Sequence, residues 1–219
     1  MDDEALELLF AAGLVRAPFE RIAAVAERMA GEALANEGPA SAVLRAADVG
    51  SAAARQIAQA RAAAGQWDPA AACARGCTHC CWVRVDITPA EATLLASAIP
   101  SGDPRRERVA ARAAEVGNLG RDARLRKRVP CALLGDDGAC SVYDARPLAC
   151  RSANSLDAGA CARALEDGDA AGELPIESWS FASMRAAYAG LRRALAAAGH
   201  PTEYDEIHQA LARAFGPRG

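Results

Sequence analysis

The chain has 219 residues, 52% hydrophobic and 24% charged, with 25 basic against 28 acidic side chains and a net charge of -3. That length supports one sizeable core, or a core with a helical appendage. Aromatic residues make up only 5% and alanine is abundant, which argues against a Val/Ile/Tyr-rich sheet protein and for a mainly α fold. The opening Met1-Asp2-Asp3-Glu4 lacks the basic start of a secretory signal, and no apolar run is long enough to span a bilayer. A cytoplasmic protein without a membrane partner is therefore expected.

In chain order, residues 3–15 read as a short apolar helix with acids in its first turn, where they suit the positive end of the dipole. Pro18 fits a first helical position, and Phe19, Ile22, Ala26, Met29 and Ala33 then make a one-sided stripe. After Gly38-Pro39 a third helix runs to about Gly65, with Val43, Leu44, Ala47, Ile57 and Ala60 on its apolar side. Packing alone explains such stripes.

Gln66-Trp67-Asp68-Pro69 breaks the pattern and introduces Cys73-Ala-Arg-Gly-Cys77-Thr-His79-Cys80-Cys81. Read as a helix at about 100° per residue, this run brings its four thiols within roughly a third of a turn. Trp82 to Ile87 alternates as a short strand. Thr88-Pro89-Ala90-Glu91 is a capping box that opens a helix ending near Pro100. Asp103-Pro104 starts another, running to about Gly117 or Gly120. From Arg105 to Arg128 nine basic residues face three acids. A solvated helix face with internal ion pairs accounts for them, and the lack of interleaved aromatics weighs against nucleic acid.

Cys131 to Tyr143 reads as a β-hairpin around an Asp-Gly turn, and an even-numbered loop would put Cys131, Leu133, Cys140 and Val142 on one face. Pro147 then starts a helical turn that delivers Cys150, and Cys161 begins a short helix ending near Gly168. Residues 180–199 form a long helix, and Thr202 to Asp205 can cap a last one that ends before Gly216-Pro217. The resulting organisation is an N-terminal helical region (1–66), a Cys-rich metal-binding core with a short strand and a small β-hairpin (67–167), and C-terminal helices on the same core (168–219).

All eight cysteines lie between Cys73 and Cys161. Crowded free thiols are oxidation-prone, whereas a metal turns them into thiolate ligands, so a metal site explains the clustering better than a disulfide framework. Cys73, Cys77, Cys80, Cys81, Cys131, Cys140, Cys150 and Cys161 are the candidate ligands, and their sulfurs should converge. Structural zinc and iron-sulfur clusters each take about four thiolates, so eight cysteines allow two sites, one site with spare thiols, or a polynuclear centre. His79 points away from the cysteines on a helical reading. Arg75, Arg84, Arg146 and Arg151 could offset thiolate charge, with Arg146 and Arg151 favoured because they flank Cys150. The spacing Cys73-x3-Cys77-x2-Cys80 also occurs in radical S-adenosylmethionine enzymes, but the chain offers too few strands for their barrel. No P-loop, dinucleotide fingerprint or nucleophile elbow is present.

These residues resemble the zinc- or iron-chelating domain proteins called the CxxCxxCC or YkgJ-like family. The match comprises Cys73-x3-Cys77-x2-Cys80-Cys81, the Val-rich strand with Thr88-Pro89-x-Glu91, Cys131, and Gly138 to Tyr143 followed by Arg146-Pro147-Leu148-Ala149-Cys150-Arg151. It covers about residues 70–165. This chain has one extra residue between Cys73 and Cys77, and Ala132 where the family often has proline; Cys161 lies less securely within the shared pattern. The resemblance implies metal chelation by the cysteines. The family also includes flagellin lysine N-methylases thought to use an iron-sulfur centre. Two readings follow: a metalloprotein holding an iron-sulfur cluster, of 4Fe-4S type, or zinc in a structural, redox or metal-handling role; and an iron-sulfur methyl or group transferase acting on a protein substrate or partner.

Overall fold

The structure, a computed structural model, describes residues 16–117, 119–168 and 174–216. In order these form α1 (Arg16–Asn36), α2 (Pro39–Ala63), a 3-10 turn (His79–Trp82), β1 (Asp86–Ile87), α3 (Pro89–Ser97), α4 (Pro104–Val116), α5 (Arg121–Lys127), a second 3-10 turn (Tyr143–Ala145), α6 (Leu148–Ser152), α7 (Ala158–Asp167), α8 (Ser178–Ala197), β2 (Asp205–Glu206) and α9 (Ile207–Ala214). The described residues are mainly α, as the composition predicts. The helix expected over 3–15 lies outside them. No described helix is long and apolar enough to cross a membrane.

The chain divides into two compact units, one made of Met1–Ala70, Pro147–Asn154 and Ile176–Thr202, the other of Ala71–Arg146, Ser155–Pro175 and Glu203–Gly219. In the first, α1, α2 and α8 pack against one another, and α6 packs on α8 and α2. Their contact faces are built from small residues: α1 buries Phe19, Ala23, Ala26, Ala30 and Ala33, spaced alternately four and three apart. Such a stripe lets backbones approach closely. At Gly190 of α8 an added Cβ would press on the Ala23 carbonyl oxygen and stand 2.8 Å from the Glu27 nitrogen. Phe19 and Trp179 stack with ring centroids 6.4 Å apart, and the Arg61 guanidinium lies 4.6 Å from the centre of the Trp179 ring.

The second unit is organised around Ile87, Leu95, Ile99, Val109, Leu133, Val142, Ile207 and Leu211, all buried. β1 pairs antiparallel with β2, Asp86 opposite Glu206 and Ile87 opposite Asp205. The strand expected over Trp82 to Ile87 thus shrinks to two residues, because a strand extends only where a partner supplies hydrogen bonds and this partner is two residues long. The capping box of α3 forms as read: Thr88 N–H donates to Glu91 Oε2 at 2.9 Å, and Glu91 N–H donates to Thr88 Oγ1 at 3.3 Å. The cap of α9 is Glu206, later than the Thr202 to Asp205 expected; its carboxylate accepts from His208 and Gln209 N–H.

The basic band largely satisfies local groups. Arg105 pairs with Asp103, Arg106 donates to the Ile99 and Pro100 carbonyls that follow α3, Lys127 donates to the Glu115 carbonyl, and Arg128 to that of Glu166. Lys127 and Arg128 thereby cap carbonyls left open at the ends of α4 and α7.

Two local expectations are corrected. Residues 73–78 are not helical: Ala74 to Cys77 is a β-turn closed by Cys77 N–H to Ala74 O at 3.0 Å, with Gly76 at φ +95 in its third position. A helix cannot pass through that positive φ, whereas a type II turn requires it there. The hairpin is a single bridge, Leu134 opposite Cys140. Gly135 N–H donates to Ala139 O at 2.8 Å and Gly138 N–H to Gly135 O at 3.0 Å, closing a three-residue loop with Gly138 at φ +73. An odd loop shifts the register by one residue, so strand alternation does not place Cys131 and Cys140 on one face. Cys131 instead opens its own turn, closed by Leu134 N–H to Cys131 O at 3.1 Å.

Candidate metal centre

Seven of the eight cysteines belong to the second unit. Cys73 precedes the Gly76 turn, Cys77 closes it, and Cys80 and Cys81 lie on the 3-10 turn, whose hydrogen bond runs from Cys81 N–H to Thr78 O at 2.8 Å. The Cys131 amide donates to the Cys81 carbonyl at 2.7 Å, which fixes the two cysteine segments side by side. Cys131 and Cys140 are partly buried against the apolar core. Cys161 sits in the first turn of α7, whose N-cap is Asp157, and α7 packs on the 3-10 turn. Cys150 and Arg151 lie on α6 and belong to the first unit.

None of the eight is joined in a disulfide, and Cys80 is exposed. Burial pushes Cys73 up; the Ser155 N–H, 3.1 Å from its sulfur, opposes this, while the neighbouring Cys77, Cys80 and Cys161 add to it. Burial likewise raises Cys131 to about 11, against a Leu133 N–H bond and with Cys140 adding repulsion. Cys140 is raised by burial, opposed by the Val142 N–H and by Arg146 and Arg75, and reinforced by Cys80. Cys80 moves the other way, to about 7, mainly because it shares a hydrogen bond with the Cys81 thiol, with the Arg146 guanidinium helping.

These interactions link the seven thiols of the unit into one connected set, with Cys73 and Cys80 each taking part in three of the six. Among the described residues, however, no three Cys, His, Asp or Glu side chains stand in ligating geometry. His79 begins the 3-10 turn and is half-buried; with residues 73–78 non-helical, the helical reading of its direction no longer applies.

Of the four candidate arginines, Arg146 stacks on Tyr143 with its guanidinium 3.6 Å from the ring centre and donates through Nε to the Tyr143 carbonyl at 3.2 Å. Arg75 lies 5.4 Å from the same ring. Arg84 is committed elsewhere, to Asp86 at 2.7 Å and the Leu119 carbonyl at 3.0 Å. Arg75 thus acts on the charge of Cys140, beyond its own neighbours in sequence. The signal for it would have been Tyr143, an aromatic surface able to hold two guanidinium groups.

The family model described as "Putative zinc- or iron-chelating domain", CxxCxxCC, matches residues 72–169. That segment is similar to the CxxCxxCC family. No curated protein and no solved structure matches the chain. The CxxCxxCC segment contains all eight cysteines. Its donor set suits a zinc- or iron-chelating role: soft sulfur ligands, three of them (Cys73, Cys131 and Cys140) already accepting a backbone N–H, with guanidinium groups near enough to offset thiolate charge.

Proposed function

We propose that the chain is a metalloprotein whose cysteines hold an iron-sulfur cluster, with zinc as the competing occupant. Seven thiols grouped in one compact unit carry this reading, because a single closed zinc site takes about four and would leave the others idle. Cys73, with Cys77, Cys80 and Cys161, whose charges act on it, forms the first four-thiolate set. Cys81, Cys131 and Cys140 supply the remaining ligands within the unit. Arg146 and Arg75 offset the charge of the set. When bound, the cluster would supply cross-linking of the loops and a one-electron couple, which suits a structural, redox or metal-handling role.

Anaerobic purification followed by iron, sulfide and zinc analysis tests the assignment. Brown protein containing iron and sulfide, bleaching in air, is the expected result. Colourless protein with stoichiometric zinc, and no iron after anaerobic reconstitution, overturns it in favour of zinc.

A further inference from the structure

His208 lies outside the matched segment, yet it is 1% exposed within the same unit as the Cys131 turn. Its Nε2 is 3.0 Å from the amide nitrogen of Ala132, the residue after Cys131. An amide can only donate, so Nε2 must be the bare, accepting nitrogen, and the ring proton therefore sits on Nδ1. Nδ1 is 2.7 Å from Glu206 Oε1. Burial works against a charged Glu206, but hydrogen bonds from His208 outweigh it and hold the carboxyl below its usual range. Arg124, itself 1% exposed, places Nη1 4.0 Å from the same carboxylate oxygen. An ionised Glu206 is an acceptor only, so it selects the tautomer that leaves Nε2 free.

We infer that His208, oriented by Glu206, is a positioning residue that holds the Cys131 turn in place from outside the chelating segment. Cys131 is pinned on two sides: its own amide donates to the Cys81 carbonyl, and the next amide donates to His208. The second bond comes from α9, where β2 and the Glu206 cap fix the start of the helix. The role in metal binding rests on the function proposed above; the hold on the turn does not. A buried amide that loses its acceptor favours conformations that bring it to water, and here those conformations move Cys131.

Two measurements on the full-length chain test this. In wild-type protein, a long-range proton–nitrogen spectrum of the imidazoles should show His208 protonated at Nδ1 and bare at Nε2; an Nε2–H tautomer overturns the inference whatever any variant does. In chelated, reduced protein, His208→Phe should speed alkylation of Cys131 about tenfold, with Cys73, Cys77, Cys80 and Cys161 changed by less than about twofold. An unchanged Cys131, or an equal rise at every thiol, overturns it, the latter because it marks general loosening. If wild-type protein carries neither iron nor zinc, the metal reading fails while both measurements still decide the role of His208.

Discussion

The Cys131 amide donates to the Cys81 carbonyl at 2.7 Å, joining two cysteine segments through backbone atoms alone. Metal loss cannot remove that bond directly. It does change the bonds that end on sulfur, because a protonated thiol accepts more weakly than a thiolate, and released ligands repel one another less once neutral. Chelation should therefore accelerate hydrogen exchange at the amides of Ser155, Leu133 and Val142, which donate to Cys73, Cys131 and Cys140, more than at Cys131 itself. Exchange in α1, α2 and α8 should stay constant. Equal acceleration across the chain would contradict this.

Gly190 permits the close crossing of α1 and α8. Alanine normally improves a helix by about 1 kcal/mol over glycine. Here the new methyl would meet the Ala23 carbonyl, the Glu27 nitrogen and the Ala26 Cβ, and the first two are backbone atoms with no rotamer to change. Overpacking costs of about 1–3 kcal/mol should win. Thermal unfolding of Gly190→Ala should show a lower midpoint; a midpoint equal to or above wild type would show that the helices can separate cheaply.

Three carboxylates, Asp103, Asp157 and Glu206, give the second unit an acid-sensitive limb. Asp103 is held at about 2, against an ordinary 3.8, chiefly by hydrogen bonds from the Arg105 side chain and then its amide. Glu206 is held below its ordinary 4.5. A carboxyl lowered on folding binds more protons in the unfolded chain, so its stabilisation is complete above the unfolded value and is lost as pH falls through the folded one. Denaturant midpoints of chelated protein should be level above about pH 5 and decline towards about pH 2. Asp103→Asn should flatten the lower part of that decline, and a midpoint that rises on acidification would be incompatible with these contacts.

Much of this was legible in the sequence, and what was not has physical causes. Thr88-Pro89-x-Glu91 announced its helix because a capping box is local: the residues that make it are the residues it orders. The spacing of Cys73 to Cys81 suits a helix, but Gly76, with its positive φ, turns the chain after only three residues. The hairpin was visible from Asp-Gly, but its register depends on whether the glycine ends a two-residue or a three-residue loop, and the dipeptide does not distinguish them. His208 was harder still. Its partners are 76 residues away at Ala132 and two residues away at Glu206, and no periodicity links a C-terminal histidine to a cysteine turn.

Cys80 and Cys131 mark the extremes of thiol chemistry in the unit, at about 7 and about 11. In chelated, reduced protein at pH 7, about half of Cys80 would be thiolate against about one part in ten thousand of Cys131. Nucleophilicity falls with pKa at a slope of about 0.4–0.5, which returns roughly two of those decades to Cys131. Cys80 should still react with an aromatic disulfide reagent about a hundredfold faster, helped by its exposure. Its rate should rise with pH through about 7 as the thiolate forms. Because the Cys81 thiol is the larger cause and Arg146 a lesser one, Cys81→Ala should move that inflection upward more than Arg146→Ala. Site-resolved mass spectrometry across a pH series reads both effects; a Cys80 inflection near that of an ordinary thiol, unmoved by Cys81→Ala, would refute the hydrogen bond as its cause.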